Sequence, residues 1–173
     1  LHSATKYLAG HNDVLAGVVV TDNADLYEKL FYNLNTTGAV LSPFDSYQLI
    51  RGLKTLSLRM ERSTANAQEI VAFLEQSPAV KEVLYTGRGG MISFKVADEK
   101  RIPHILNTLK VFSFAESLGG VESLITYPTT QTHADIPAEV RHSYGLTDDL
   151  LRLSIGIEDA RDLIEDLRQA LEG

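Results

Sequence analysis

A lysine lies beside two small hydroxyl side chains at the start of the chain, in the run Ser3-Ala4-Thr5-Lys6-Tyr7. An amine and two hydroxyls so close together suit a phosphorylated aldehyde, because the amine forms a Schiff base and the hydroxyls donate to phosphate oxygens. Pyridoxal phosphate is such a cofactor. The sequence therefore predicts Lys6 as a catalytic and cofactor-binding residue, with Ser3 and Thr5 binding the same cofactor. The alternative is a surface lysine in a loop.

A second cation, Arg152, interrupts the apolar run at 150–155. Its planar guanidinium suits a substrate carboxylate, whereas an alternating strand simply exposes a residue at such a position. The strand pattern leaves both interpretations open. Ser117 lies in a turn whose two glycines allow close backbone approach and could also donate to a carboxylate, although a plain turn between strands is the stronger interpretation there.

Composition excludes several classes of function. The 173 residues carry a net charge of -7, which argues against nucleic acid or anionic membrane as a main partner. The chain has no cysteine, and its five histidines show no ligand spacing, so no metal site is expected. No apolar run reaches the length of a membrane span, and a cytoplasmic location is expected. Because the first residue is Leu1, we expect a truncated or processed polypeptide.

The elements that position these residues fall into two groups. The run 14–20 predicts a strand buried on both faces, and 22–34 predicts a helix capped by Asp22 or Asn23. A second helix begins at Ser42-Pro43 and continues to Leu74 with a kink near 52–57. Beyond residue 78 the pattern changes to a mostly antiparallel sheet covered by helices. The strands are expected at 80–85, 91–96, 111–115, 123–127 and 150–155, and the helices at 98–109, from Pro137, and at 158–171.

The motifs resemble those of the trans-sulfuration (Cys/Met metabolism) enzymes that use pyridoxal phosphate. They span nearly the whole chain in the family's order. The resemblance implies an α/β fold: the end of a fold-type I cofactor domain, a long connecting helix and a C-terminal α+β domain. We expect the cofactor domain and linker helix at 1–52 and the C-terminal domain at 53–173. The residues that carry the resemblance are 2–7, 10–13, 41–47, 51–56, 59–61, 115–124, 132–134 and 151–159.

The resemblance also implies roles for individual residues. Lys6 matches the lysine that holds pyridoxal phosphate and moves protons, and Ser3 and Thr5 match hydroxyls on its phosphate. Ser117 and Arg152 match the site for the substrate α-carboxylate, which favours the functional interpretation of Arg152. Glu116 matches a position facing the distal end of the substrate. These six residues are the predicted site.

Within the family, Glu116 and the run 117–124 favour cystathionine γ-synthase, which joins an O-acylhomoserine to cysteine. The alternatives are cystathionine β- or γ-lyase, which cleave cystathionine, and a non-catalytic module for small-molecule binding or dimerisation. The family's first half is missing from the chain, so we expect this polypeptide alone to be inactive. The longer enzyme is expected to be a tetramer built from two dimers.

Overall fold

In the computed structural model, which describes residues 1–173, the chain divides between Leu56 and Ser57 into two units. It contains six α-helices and seven β-strands, so the architecture is mixed α/β. The division predicted after residue 52 falls within the last turn of the second helix.

The first unit holds Lys6 between two short strands. Strand β1 (His2–Ser3) pairs antiparallel with β2 (Gly17–Val18), and a wide helical turn, Ala4–Leu8, follows β1 directly. Two helices complete the unit, α1 (Ala24–Thr37) and α2 (Pro43–Leu53). The ladder between β1 and β2 therefore fixes both ends of the segment that contains Lys6.

The strand predicted over 14–20 is wrong in its extent and burial. Only Gly17 and Val18 are in strand conformation, and Val19 and Val20 are 51% and 74% exposed. β-Branched residues favour a strand only where a neighbouring strand pairs with them. The partner of β2 is β1, which has two residues, and the ladder ends where β1 ends.

The predicted starts of both helices in this unit are confirmed by their caps. The Asn23 side chain accepts the Leu26 N–H at 2.9 Å, and Gly38, with φ of 66°, ends α1. Ser42 accepts the Asp45 N–H at 3.1 Å at the start of α2. The predicted kink is a full break, because α2 ends at Leu53 and α3 (Leu56–Leu74) begins a new helix.

The second unit is built on a five-stranded sheet, and its pairing confirms the mostly antiparallel prediction. The strand order is β3-β4-β7-β6-β5, and β5 and β6 form the parallel pair. The strands are β3 (Val80–Leu84), β4 (Met91–Val96), β5 (Ser113–Phe114), β6 (Leu124–Thr126) and β7 (Leu150–Ser154); the helices beside them are α3, α4 (Ile102–Thr108), α5 (Ala138–Ser143) and α6 (Ala160–Glu172).

The core of this unit lies between the sheet and helices α3 and α6. Phe94, Leu151 and Leu153 from the central strands share one buried cluster with Ile70 of α3 and Leu163 of α6, all at 0% exposure. Burial of each such side chain stabilises the fold by about 1.5–3 kcal/mol. Strand β7 lies between β4 and β6, so its residues have fixed positions.

Asp166 of α6 holds the loop between α4 and β5. Its carboxylate accepts three backbone N–H groups, those of Lys110, Val111 and Phe112, at 2.8–3.2 Å. Asp166→Ala leaves these donors without their acceptor, and we expect the free energy of unfolding of the second unit to fall by about 3 kcal/mol. Urea denaturation of the 173-residue chain measures the change.

The matched control is Glu165→Ala on the exposed side of the same helix. Its ion pair with Arg168 is a surface contact, so a change within about 0.5 kcal/mol is expected. If Asp166→Ala changes stability no more than this control, the loop does not depend on the carboxylate.

Candidate functional site

Lys6 lies in a turn that two carbonyl groups shape. The backbone N–H groups of Ala4 and Thr5 donate to the Ala16 carbonyl at 2.8 and 3.2 Å, and the Gly10 N–H donates to the Lys6 carbonyl at 2.8 Å. Lys6 itself has φ of -92° and ψ of -125°, outside the helical region, and its side chain is half-buried. The turn thus places a single amine on a kinked, hydrogen-bonded backbone.

Helix α2 packs against the end of this turn at a glycine. A Cβ on Gly52 would overlap the carbonyl of Ala9, so the helix approaches the Lys6 turn as closely as backbone allows. Gly52→Ala forces the two backbones apart, at a cost of about 1–3 kcal/mol. We expect faster amide hydrogen exchange at residues 4–10, measured by mass spectrometry on the 173-residue chain.

Gly17→Ala is the control for this change. Gly17 does not need a positive φ, and the nearest atom to its added Cβ is the His2 carbonyl oxygen at 3.9 Å, an ordinary contact. Its amide exchange at 4–10 should match the unaltered chain. Equal exchange in both variants would contradict the role given to Gly52.

The residues around Lys6 fit the phosphorylated aldehyde expected there. Ser3 precedes the turn, is exposed, and makes no capping hydrogen bond, so its hydroxyl is available as a donor. The Thr5 hydroxyl accepts the Ala16 N–H at 3.0 Å and donates to the Ala16 carbonyl at 3.3 Å. For its hydroxyl to donate to a phosphate, Thr5 must give up the 3.3 Å hydrogen bond to the Ala16 carbonyl. The amine and the Ser3 hydroxyl match the needs of the cofactor directly, and Thr5 matches them once that bond is given up.

Arg152 lies at the centre of β7, opposite Ser93 of β4 and Thr126 of β6. It is half-buried, while Leu150 and Ser154 on the same face are buried at 8% and 2% exposure. Both faces of β7 are largely covered, so Arg152 does not lie on the open face of an alternating strand.

The guanidinium of Arg152 is partly engaged by its own unit. One Nη donates to the Glu116 carbonyl at 3.0 Å and to the Thr126 hydroxyl at 3.1 Å, while the buried Nε has no partner. Burial lowers the pKa of Arg152 from its ordinary value, and the charge of Glu116 opposes that change. Arginine stays charged at neutral pH. The unpaired Nε–H of Arg152 is therefore a buried donor that belongs to a cation.

The 116–123 segment joins β5 to β6 and brings Glu116 to Arg152. Gly119 has φ of 76°, which favours glycine, and its N–H donates to the Ser154 hydroxyl at 2.8 Å. Ser117, next to Glu116, is half-buried, and Glu116 is exposed. The structure thus gathers Glu116, Ser117 and Arg152 at one part of the second unit.

Sequence reasoning missed Thr126. It is 1% exposed, accepts a hydrogen bond from Arg152, and donates to the Ala115 carbonyl at 2.8 Å. A hydroxyl at the end of the apolar run 124–125 was the available signal, because a buried hydroxyl needs a partner. Thr126 fixes the guanidinium from the neighbouring strand.

The structure contains no group of three or more His, Asp or Glu side chains placed to hold a metal ion. None of its helices combines the length and hydropathy needed to cross a bilayer. In the first unit, a lysine amine on a hydrogen-bonded turn with hydroxyls beside it is the kind of group that holds a phosphorylated aldehyde in enzymes.

The chain belongs to the Cys/Met metabolism PLP-dependent enzymes, whose family model matches residues 1–172. Pyridoxal phosphate is the cofactor of these enzymes. The chain is 58% identical, over 171 residues, to a protein of Bacillus subtilis (strain 168) described as cystathionine gamma-synthase/O-acetylhomoserine (thiol)-lyase. That alignment includes 99% of this chain and 46% of the relative.

Two further relatives define the range of activities. Cystathionine gamma-lyase of the same Bacillus strain is 52% identical over 188 positions, covering 99% of this chain and 50% of the lyase. Cystathionine gamma synthase from Xanthomonas oryzae pv. oryzae, solved with aminoacrylate and cysteine, is 42% identical with a TM-score of 0.93, covering 99% and 49%. The chain spans about half the length of the relatives that it matches.

Proposed function

We propose that this chain is the C-terminal half of a cystathionine γ-synthase, which joins an O-acylhomoserine to cysteine. The observation that carries the proposal is its 58% identity to the Bacillus synthase/thiol-lyase, stronger than the 52% to the lyase. The alignment lengths support the same choice. The same share of this chain aligns over 171 positions with the synthase and 188 with the lyase, so the lyase carries residues absent here.

Lys6 acts as the base in this proposal. Pyridoxal phosphate, when bound, supplies an aldehyde that combines with an amino group and withdraws electrons from the substrate's Cα. Lys6 would hold the cofactor between turnovers, take the proton at Cα and pass it to the cofactor's C4′ carbon. As a neutral amine again, it would then take the proton at Cβ that elimination of the acyl group requires. Ser3 and Thr5 bind the phosphate and keep the amine oriented.

Arg152 and Ser117 bind the α-carboxylate of the amino acid. The unpaired, buried Nε–H of Arg152 is costly unless a ligand accepts from it, and a carboxylate meets that need. Thr126 and the Glu116 carbonyl hold the guanidinium at the correct angle. Glu116, exposed beside this site, is proposed to face the distal end of the substrate.

Helix α1 supports the proposal that the active enzyme is longer than this chain. It buries no side chain, and Tyr27 and Phe31 are 59% and 57% exposed and stacked at 6.0 Å. These two rings line an apolar cavity of about 650 Å³ that contains none of the six predicted site residues. Exposed apolar surface of this kind normally packs against further protein. We propose that the preceding half of the enzyme covers it.

A chimera tests this function: the N-terminal half of the Bacillus synthase/thiol-lyase followed by this chain. With O-acylhomoserine and cysteine it should form cystathionine, and with cystathionine alone it should release much less product. The 173-residue chain alone should turn over neither. Cystathionine cleavage faster than its formation would favour the γ- or β-lyase alternative. A chimera that binds no pyridoxal phosphate would instead favour a non-catalytic module.

A further inference from the structure

Glu158, between β7 and α6, binds Ser123 with both oxygens of its carboxylate. Oε1 accepts the Ser123 N–H at 2.5 Å, and Oε2 accepts from the Ser123 hydroxyl at 2.9 Å. The hydroxyl in turn accepts the Gly156 N–H at 2.9 Å, and Ser123 is 0% exposed. Hydrogen bonds to a charged acceptor are short and strong, so this contact fixes Ser123 firmly.

The backbone of Glu158 is itself held from helix α3. The Asn66 side-chain amide donates to the Glu158 carbonyl at 2.8 Å and to the Gly156 carbonyl at 3.2 Å, and Asn66 is 1% exposed. The carboxylate of Glu158 therefore projects from a backbone that is hydrogen-bonded to α3. The position of this carboxylate is thus fixed relative to α3.

The segment that Glu158 fixes is the one bearing the proposed substrate residues. Three residues of the 116–123 segment contact residues 154–158, from the end of β7 onward. They are Gly119 with Ser154, Val121 with the Ile157 N–H at 2.9 Å, and Ser123 with Glu158. A Cβ on Gly156 would overlap the Val121 carbonyl and the Glu158 carboxylate. The path of the segment is thus set by direct contact with residues 154–158.

We propose that Glu158 is a positioning residue for the substrate carboxylate site: by binding Ser123 it holds Ser117 and the Glu116 carbonyl in register with Arg152. The inference rests on the proposed role of Ser117 and Arg152. Both oxygens of the Glu158 carboxylate bind Ser123, so loss of Glu158 should weaken substrate binding and leave the chemical step nearly unchanged. Loss of the Ser123 hydroxyl should weaken substrate binding in the same way, because it removes the same contact.

Glu158→Gln is the sharpest test because the side chain keeps its size. The glutamine amide keeps one oxygen that can accept the Ser123 N–H. Its NH2 group would face the Ser123 hydroxyl, which is itself the donor in this contact. Loss of one hydrogen bond to a charged group corresponds to about a tenfold change. In the chimera we expect KM for O-acylhomoserine to rise about tenfold and kcat to stay within about twofold.

Two further variants separate positioning from general damage. Ser123→Ala should give the same rise in KM, and the double variant should add little, because both remove one contact. Glu165→Gln, the same change on the exposed face of α6, should leave KM unchanged. A fall in kcat at constant KM, or additive effects of the two variants, would overturn the proposal.

Amide exchange keeps this test separate from the proposed function. In the 173-residue chain, Glu158→Gln should speed exchange at residues 117–123 while leaving β4 and β7 protected. Unchanged exchange there overturns the inference whatever the chimera does. If exchange rises but the chimera carrying the unaltered chain makes no cystathionine, the proposed function fails and the structural role of Glu158 stands.

Discussion

Replacing Lys6 with alanine should lower kcat of the chimera by about 10²- to 10⁴-fold, the range for loss of a positioned acid–base group. The same variant should lose the yellow absorbance of lysine-bound pyridoxal phosphate, because no other residue of the turn offers an amine. Both effects share one cause: Lys6 holds the cofactor and moves the protons. Steady-state kinetics and an absorbance spectrum of the purified chimera measure them.

Lys29→Ala is the matched control for this loss. Lys29 is an exposed lysine of α1 in the same unit, remote in sequence from the turn. Its absorbance and kcat should equal those of the unaltered chimera. Retention of both signals in Lys6→Ala would show that another amine holds the cofactor, and the proposed chemistry would fail at its first step.

Arg152→Ala should raise KM for O-acylhomoserine by about 30- to 1000-fold, since loss of one partner of a buried charge pair costs about 2–4 kcal/mol. The variant removes the unpaired Nε and the donor to Glu116 and Thr126 together. Arg152→Lys should recover little, because an ammonium cannot offer two parallel donors. Initial rates over a range of substrate concentrations give KM.

The absorbance of the cofactor separates a binding defect from unfolding in this variant. It should persist in Arg152→Ala, since Lys6 is intact, and it should be lost if the protein fails to fold. Arg88→Ala, which changes an exposed arginine in the hairpin loop, serves as control and should leave KM unchanged. An Arg152→Ala variant with unchanged KM would place the carboxylate site elsewhere.

Local signals explain what the sequence predicted well. Asn23 before α1 and Ser42-Pro43 before α2 are side chains whose hydrogen bonds start a helix within a few residues, so a single sequence shows them. The hairpin strands β3 and β4 follow from alternation and a glycine turn. Each of these features depends on neighbours in the chain.

Features that depend on distant partners were not predictable in the same way. The run 14–20 has the composition of a strand, but its length is set by the two residues of β1. The hydroxyl of Thr126 gains its role from Arg152, and the carboxylate of Glu158 from Ser123, each more than twenty positions away. Such pairs can be recognised only when the order of the strands in the sheet is known.

The predicted site residues were identified in two ways, from their spacing and from the family resemblance. The lysine and hydroxyls at 3–6 are adjacent, so their chemistry could be inferred from spacing. Ser117 and Arg152 are 35 positions apart, and the family resemblance was needed to assign them one substrate. The contact of Arg152 with the Glu116 carbonyl came from the structure.

The most direct test of the account is to locate the cofactor on the chain. Borohydride reduction of the chimera loaded with pyridoxal phosphate fixes the bond between the aldehyde and its lysine, and peptide mass spectrometry then identifies the residue. One modified lysine is expected in the part contributed by this chain, Lys6. Modification of a different lysine, or of none, would contradict the claim that this turn is the cofactor site.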